Sequence, residues 1–211
     1  MKRNIYALCT AICALFAVVS CSKSDDNNES KGGITNNNFS QEVTKIVSQD
    51  LIQKMADAGA TINGGTNPPI VQPLLPGLLF TTGELELIHT SLGKNDPLKN
   101  FDGFYYKFYG QNGAKLKVDY SNFSAGTYAA RGVDAAISGE GDKFTIFFID
   151  KAGDLVALSG KLTGDAIENF QQTSLVKVAD NNSPEGTVRV FKSKSGYAET
   201  IREADLYPNS K

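Results

Sequence analysis

Short runs in which hydrophobic and polar residues alternate fill the chain from about residue 78 to its carboxyl end. The stretch ELELIHT, for example, places Leu85, Leu87 and His89 on one face and Glu84, Glu86 and Ile88 on the other. Alternation with a period of two is typical of strands that bury one face. Comparable runs are GLLFTT, FYYKFYG, KLKVDYS, TYAARGVDAAIS, KFTIFFID, LVALSGKL, SLVKVAD, TVRVFKS and GYAETI.

Eight to ten such strands, separated by turn residues, predict a mainly β fold. We favour an antiparallel up-and-down, lipocalin-like barrel over a β-sandwich, because closure removes the two open sheet edges of an exported protein. The turn KAGD contains Gly153, which supplies the positive φ that a tight hairpin needs.

A single amphipathic helix is predicted ahead of the strands. The stretch SQEVTKIVSQDLIQKMADAG spaces its apolar residues by three and four, with Ser40 as the expected N-cap and Gly59 where the helix ends. Such a stripe is expected to cover one face or one end of the barrel. The following GATINGGTNPPIVQPLLPG, rich in proline and glycine, predicts an ordered connection.

The amino-terminal end has the pattern of an export signal over residues 1–20. Lys2 and Arg3 precede IYALCTAICALFAVVS, an apolar run without charge, glycine or proline. The last three residues of this run together with Cys21, the stretch from Val18 to Cys21, resemble the lipobox of bacterial lipoproteins. That resemblance implies that Cys21 is the lipid attachment site and the first residue of the mature chain, anchored in a membrane by its acyl chains.

Residues 21–38 read as an acylated amino terminus followed by a disordered tether, because the segment has almost no apolar residues to bury. The stretch from Ser22 to Asp26 resembles the lipoprotein export signal of Bacteroidetes-type bacteria. The resemblance implies lipid anchoring in the outer membrane, facing the exterior; a spacer facing the periplasm is the alternative.

The remaining residues, 39–211, suit a single domain with one core. The three cysteines are Cys9, Cys13 and Cys21, so removal of the signal leaves no free thiol for a disulfide or a zinc site. The formal net charge is −2, and no basic cluster predicts a nucleic-acid partner. No cofactor or metal is expected.

Three stretches resemble a known family. GATINGGTNPP, ISGEGDKFTIFF and LSGKLTGDAIENFQ are similar to a family of Bacteroidetes surface lipoproteins with lipocalin-like β-barrels. The resemblance spans most of the domain and implies the fold; it transfers no catalytic residue. The chain departs from that family at QPLLPGLLF, which is rich in proline.

The candidate ligand-binding residues are His89 and three tyrosines, Tyr105, Tyr106 and Tyr109. The histidine is the only one in the chain, and it is expected on the core-facing side of its strand. In FYYKFYG, Tyr106 should face inward between Phe104 and Phe108, and Tyr105 and Tyr109 outward.

The pattern favours a non-enzymatic, surface-anchored protein that binds a small molecule, a glycan or a peptide. The alternatives are an extracellular hydrolase acting on a polymer such as a glycan, with Glu84 and Glu86 as a weak carboxylate pair, and a structural or adhesive protein. A concave pocket with converging polar groups would favour binding, two facing carboxylates the hydrolase, and a barrel filled with side chains a structural role.

Overall fold

A computed structural model describes residues 32–125, 128–180 and 183–206. The predicted signal sequence, Cys21 and the tether as far as residue 31 lie outside these residues. The described residues form fourteen strands, three α-helices and one 3₁₀ turn at Gly93–Asn95. In chain order the elements are β1 (Gly33–Ile34), α1 (Gln41–Ile46), α2 (Gln49–Asp57), β2 (Thr61–Ile62), β3 (Thr66–Asn67), β4 (Leu78–Thr81), β5 (Leu85–Thr90), β6 (Asn100–Phe101), β7 (Phe104–Asn112), β8 (Lys115–Asn122), β9 (Ala130–Glu140), β10 (Lys143–Ile149), β11 (Leu155–Thr163), β12 (Ala166–Leu175), β13 (Val188–Ser193), β14 (Tyr197–Arg202) and α3 (Glu203–Leu206).

Eight strands close into an antiparallel barrel, which confirms the predicted fold class. The ring runs β4, β7, β8, β9, β10, β11, β12 and β14, and the pairing of β14 with β4 completes it. Neighbours in the ring are successive in the chain except where β5, β6 and β13 intervene, so the topology is up-and-down. Closure leaves the ring without open edges.

The intervening strands extend the barrel beyond one end. The first half of β12 pairs with β14 and its second half with β13, while β13 also pairs with β5, and β5 with β6. The chain bends between β4 and β5 and between β6 and β7. Gly103, in the bend between β6 and β7, has φ 105°. A Cβ at this position would lie 2.0 Å from the carbonyl oxygen of Gly83, in the bend between β4 and β5. The bend therefore requires glycine.

Side chains fill the interior of the barrel. Tyr106 and Phe108 are buried, with ring centroids 6.1 Å apart, and they belong to one apolar cluster that draws residues from every strand of the ring. The fully buried rings of this cluster are Phe80, Tyr106, Phe108, Phe144, Phe148 and Phe170. Val71, in the connection before β4, joins the same cluster. The interior is thus a packed core lined by aromatic rings.

A second core lies between the helices and the outer wall of the barrel. Val43, Ile52 and Met55 are fully buried there, and they pack against a patch that includes Phe147 and Val190. The amphipathic stripe was therefore predicted correctly, but the single helix was not. The chain becomes extended at Val47, and Ser48 caps α2 by accepting a hydrogen bond from the Leu51 amide, which ends the first helix.

Two boundaries in the structure differ from those predicted from the sequence. Residues 32–38, assigned to the tether, lie against the domain: Gly33 pairs with Thr61 in the parallel β1–β2 ladder, and Asn38 accepts a hydrogen bond from the Gly65 amide. The run SLVKVAD, predicted as one strand, contributes only its first two residues to β12. Asn169, with φ 54°, interrupts the alternation of apolar and polar residues in the middle of β12, and most of this strand was therefore not predicted from the sequence.

Candidate functional site

A groove of about 660 Å³ runs along the outer wall of the barrel. One bank is the segment around β2, and the other is formed by β5 and β13, with β11 and β12 beneath. We call it the outer-wall groove. Its lining residues are Thr35, Thr61, Asn63, Glu86, Ile88, His89, Lys143, Ser159, Gly160, Lys161, Asn169, Phe170, Gln171, Lys192, Ser193 and Gly196.

Hydrogen bonds fix the β2 bank onto the barrel. The Thr61 amide donates to Oε1 of Gln171 (2.9 Å), and the Asn63 amide donates to Oγ1 of Thr145 (2.8 Å). The Asn63 side-chain amide donates to the Phe144 carbonyl (3.0 Å), and the Ser138 hydroxyl to the Asn63 carbonyl (2.7 Å). The groove is therefore built by contacts between distant parts of the chain and is formed before any ligand arrives.

Three polar side chains in the groove have bonding capacity that no described residue uses. Gln171 is 9% exposed; since its Oε1 accepts from Thr61, its Nε2 is the outward donor, and no acceptor for it lies among the described residues. Among the described residues, the ring nitrogens of His89 also have no hydrogen-bond partner. The same is true of the side-chain oxygen of Asn63, whose amide group donates to Phe144. Buried polar groups normally find partners, so the two buried side chains, Gln171 and Asn63, point to a bound molecule, and the half-buried His89 lies beside them.

One of the three lysines in the groove lining has no carboxylate partner among the described residues. Lys192 pairs with Glu86 (2.8 Å), and Lys161 lies near Asp142 (3.8 Å) and Glu168 (3.5 Å). These three carboxylates balance the three lysines in formal charge, but none of the described carboxylates lies within 4.0 Å of Lys143. The ammonium group of Lys143 is therefore the position in the groove that favours a negatively charged group.

His89 lies on the opposite side of the strand from its predicted place. β5 and β13 change register between Val190 and Phe191, so that His89 pairs with Val190 and Leu87 with Phe191. Leu87 packs on the barrel core, whereas Ile88 and His89 line the outer groove. At the end of the α2 segment, Gly59 (φ 101°) has no room for a Cβ, which would lie 2.4 Å from the imidazole. The helix therefore ends at a glycine, as predicted, and this glycine packs against His89.

The three candidate tyrosines lie away from the groove. Tyr106 is inside the barrel, where its hydroxyl donates to Oε1 of Gln172 (2.8 Å), and burial raises its pKa well above the usual value. Tyr105 stacks on Phe123, with ring centroids 4.5 Å apart. The Tyr109 hydroxyl donates to the buried Asp119 (2.9 Å). The predicted inward and outward faces are correct, but the structure does not bring these residues together with His89.

The two glutamates of ELELIHT are both engaged by lysines. Glu86 pairs with Lys192, and Glu84 pairs with Lys194, whose hydrogen bond lowers the pKa of the Glu84 carboxyl. A general acid needs a raised pKa, so Glu84 is unsuited to that role. Across the described ranges, no group of three or more His, Cys, Asp or Glu side chains is placed to hold a metal ion.

Of these groove residues the sequence analysis singled out His89, and it did not single out Gln171, Asn63 or Lys143. Each is an ordinary polar residue within a strand or a connection, and only the fold brings them to one groove; Thr61 and Gln171 are 110 positions apart. No family model, curated protein or solved structure matches the chain. Among the described helices, none is both long and apolar enough to span a bilayer.

Proposed function

We propose that this chain is a non-enzymatic binding protein, anchored at the outer surface of the outer membrane through Cys21, whose outer-wall groove binds a small carboxylate-bearing polar molecule such as an acidic sugar. The observation that carries the proposal is the buried Nε2 of Gln171, which has no hydrogen-bond acceptor among the described residues and lies in the same groove as the imidazole of His89. Side chains of the described strands pack the barrel interior, so we assign binding to the groove on its outside.

The chemistry of the groove supports a ligand with both a charge and hydroxyl groups. Lys143 offers an ammonium group to a carboxylate, and Gln171 and His89 add neutral hydrogen-bonding groups beside it. The side-chain oxygen of Asn63 is an acceptor, which suits a ligand hydroxyl rather than a second carboxylate.

Anchoring is supported by the sequence alone. The apolar run, the lipobox-like residues before Cys21 and the polar stretch after it predict a lipid-modified amino terminus. A domain held at the cell surface in this way would meet glycans, small molecules and peptides outside the cell. The groove then gives the anchored domain a place to retain one class of them.

Replacing Gln171 by glutamate is expected to weaken binding of glucuronate about tenfold or more. The change keeps the acceptor for the Thr61 amide, but it replaces the Nε2 donor by a negative oxygen, and a hydrogen bond to a charged group contributes about 1.5–3 kcal/mol. Lys143→Gln should weaken binding several-fold. Isothermal titration calorimetry with glucuronate measures both affinities.

Lys177→Gln is the matched control, because Lys177 is exposed and lies outside the groove. It should bind glucuronate like the unaltered chain, and both lysine variants should melt within a few degrees of it. Gln171→Glu adds a charge at a buried position, so it is expected to melt lower, and its native circular dichroism spectrum is checked at the temperature of the titration. Unchanged affinity in both groove variants would exclude the groove as the binding site.

A further inference from the structure

The connection that leads into β4 presents apolar side chains to solvent. Within residues 68–77, which we call the proline loop, the exposed fractions are 59% for Ile70, 91% for Leu74 and 66% for Leu75. Large apolar side chains clustered in one exposed loop mark a contact surface more often than they mark accident. We propose that the proline loop contacts the bilayer in which Cys21 is anchored and so orients the barrel on the membrane; this inference rests on the proposed anchoring.

The proline loop is held in one shape. Gln111 at the end of β7 accepts a hydrogen bond from the Val71 amide (2.9 Å) and donates one to the Pro69 carbonyl (2.8 Å). Val71 itself is 1% exposed and packs into the barrel core. The loop is therefore pinned at its middle while its leucines remain outside, and little chain entropy is lost when they are buried against another surface.

The composition of the loop suits hydrocarbon rather than water. Pro68, Pro69, Pro73 and Pro76 have no amide hydrogen, which removes donors that would otherwise lose their hydrogen bonds to water on entering a bilayer. From residue 58 to residue 83 the chain has no charged residue. Protein interfaces are also poor in charge at their centres, so it is the shortage of backbone donors in the loop that favours a lipid surface as the partner.

The anchor reaches far enough for the loop to touch the same membrane. Gly33 pairs with Thr61, so the start of the described chain lies beside β2, and residues 61–68 can span at most about 25 Å. The segment from Cys21 to residue 32 can span up to about 40 Å. The acyl chains and the start of the proline loop can therefore reach the same membrane in one orientation of the domain.

Depth-dependent quenching on vesicles tests the inference. Once the signal is removed, Cys21 is the last cysteine and its sulfur is acylated, so Leu75→Cys and Val178→Cys can each be labelled singly with an environment-sensitive fluorophore. The two positions are equally exposed, at 66%, but Val178 lies in the β12–β13 connection at the opposite end of the barrel. The lipidated proteins are reconstituted into phosphatidylcholine–phosphatidylglycerol vesicles that contain spin-labelled lipid.

We expect several-fold quenching of the label at position 75 and almost none at position 178. Flotation of the same vesicles measures anchoring separately, with Cys21→Ala as the variant that should not float. Anchored protein with equal quenching at the two positions would overturn the inference and leave the anchor intact. If the lipidated protein fails to float, the proposed anchoring is wrong. The same two labels are then measured on a protein of residues 22–211, which retains every described element. An amino-terminal hexahistidine tag attaches that protein to vesicles with nickel-chelating lipid. Absence of quenching at position 75 there would overturn the loop contact as well.

Discussion

Replacing Phe108 by alanine is expected to lower the free energy of unfolding by about 3–5 kcal/mol. The side chain is 2% exposed, and its ring lies 5.6 Å from that of Phe80 and 6.1 Å from that of Tyr106. These neighbours project from hydrogen-bonded strands of a closed ring, so they cannot collapse into the space that the substitution leaves. The lost burial and the remaining cavity both contribute, and denaturant unfolding followed by circular dichroism measures the sum.

Tyr197→Ala is the control for this substitution, because Tyr197 is an aromatic residue of the same barrel with 41% of its surface exposed. It should cost well under half as much as Phe108→Ala. Phe104 is only half-buried, so Phe104→Ala should fall between the two, although the alternation alone would rank it with Phe108. Equal losses at positions 108 and 197 would contradict a packed interior.

Replacing Arg189 by alanine is expected to destabilise the protein by about 3–5 kcal/mol, because it leaves a buried carboxylate without its counter-ion. Nε of Arg189 donates to Oδ2 of Asp96 (2.7 Å), and the two residues are 4% and 2% exposed. Asp96 also accepts hydrogen bonds from the Thr90 hydroxyl (2.6 Å) and the Leu98 amide (3.0 Å). The pair thus fastens the connection after β5 to β13.

The effect of Arg189→Ala should depend on pH. Burial by itself would raise the pKa of the Asp96 carboxyl, but the hydrogen bonds from Arg189, Thr90 and Leu98 hold it below its usual value of 3.8. A lowered folded-state pKa contributes stability above the unfolded value, and that stability is lost as the pH falls through the folded value. The difference between the two proteins should therefore be largest near neutral pH and shrink below about pH 4. A difference that stays constant across this range would show that the ion pair is not its source.

Lys117→Ala, which removes one member of the exposed Lys117–Asp134 pair, should leave stability almost unchanged.

The barrel could be predicted because local patterns determine most of it. Most inward positions of β7 and β8 are apolar or aromatic, as at Tyr106, Phe108, Leu116, Val118 and Tyr120, so the period of two identifies the core-facing side. The pattern failed where the backbone departs from a regular ladder. The positive φ of Asn169 concealed most of β12, and the register change opposite Val190 moved His89 to the outer wall.

The groove could not be predicted, since long-range pairing creates it. Gln171 becomes a buried donor only when the Thr61 amide occupies its oxygen, and Lys143 reaches the same groove through the hairpin that joins β9 to β10. The Asp96–Arg189 pair, 93 positions apart, had no signal in the sequence for the same reason. Histidine was singled out because it is unique in the chain, a feature of composition that happens to mark one bank of the groove.

The most direct test of the proposed site uses that single histidine. Because His89 is the one histidine of the chain, its Cε1–H group gives a single cross-peak of that type in a ¹H–¹³C spectrum of the labelled protein, so the groove has its own reporter. The signal is followed at constant pH during titration with glucuronate, N-acetylglutamate or the neutral sugar glucose. We expect a saturable shift at millimolar concentration with one or both carboxylates, and little response to glucose. The comparison of glucuronate with N-acetylglutamate separates acidic sugars from acidic peptides as the ligand class. An unmoved His89 signal with every carboxylate would contradict the assignment of the groove as the binding site.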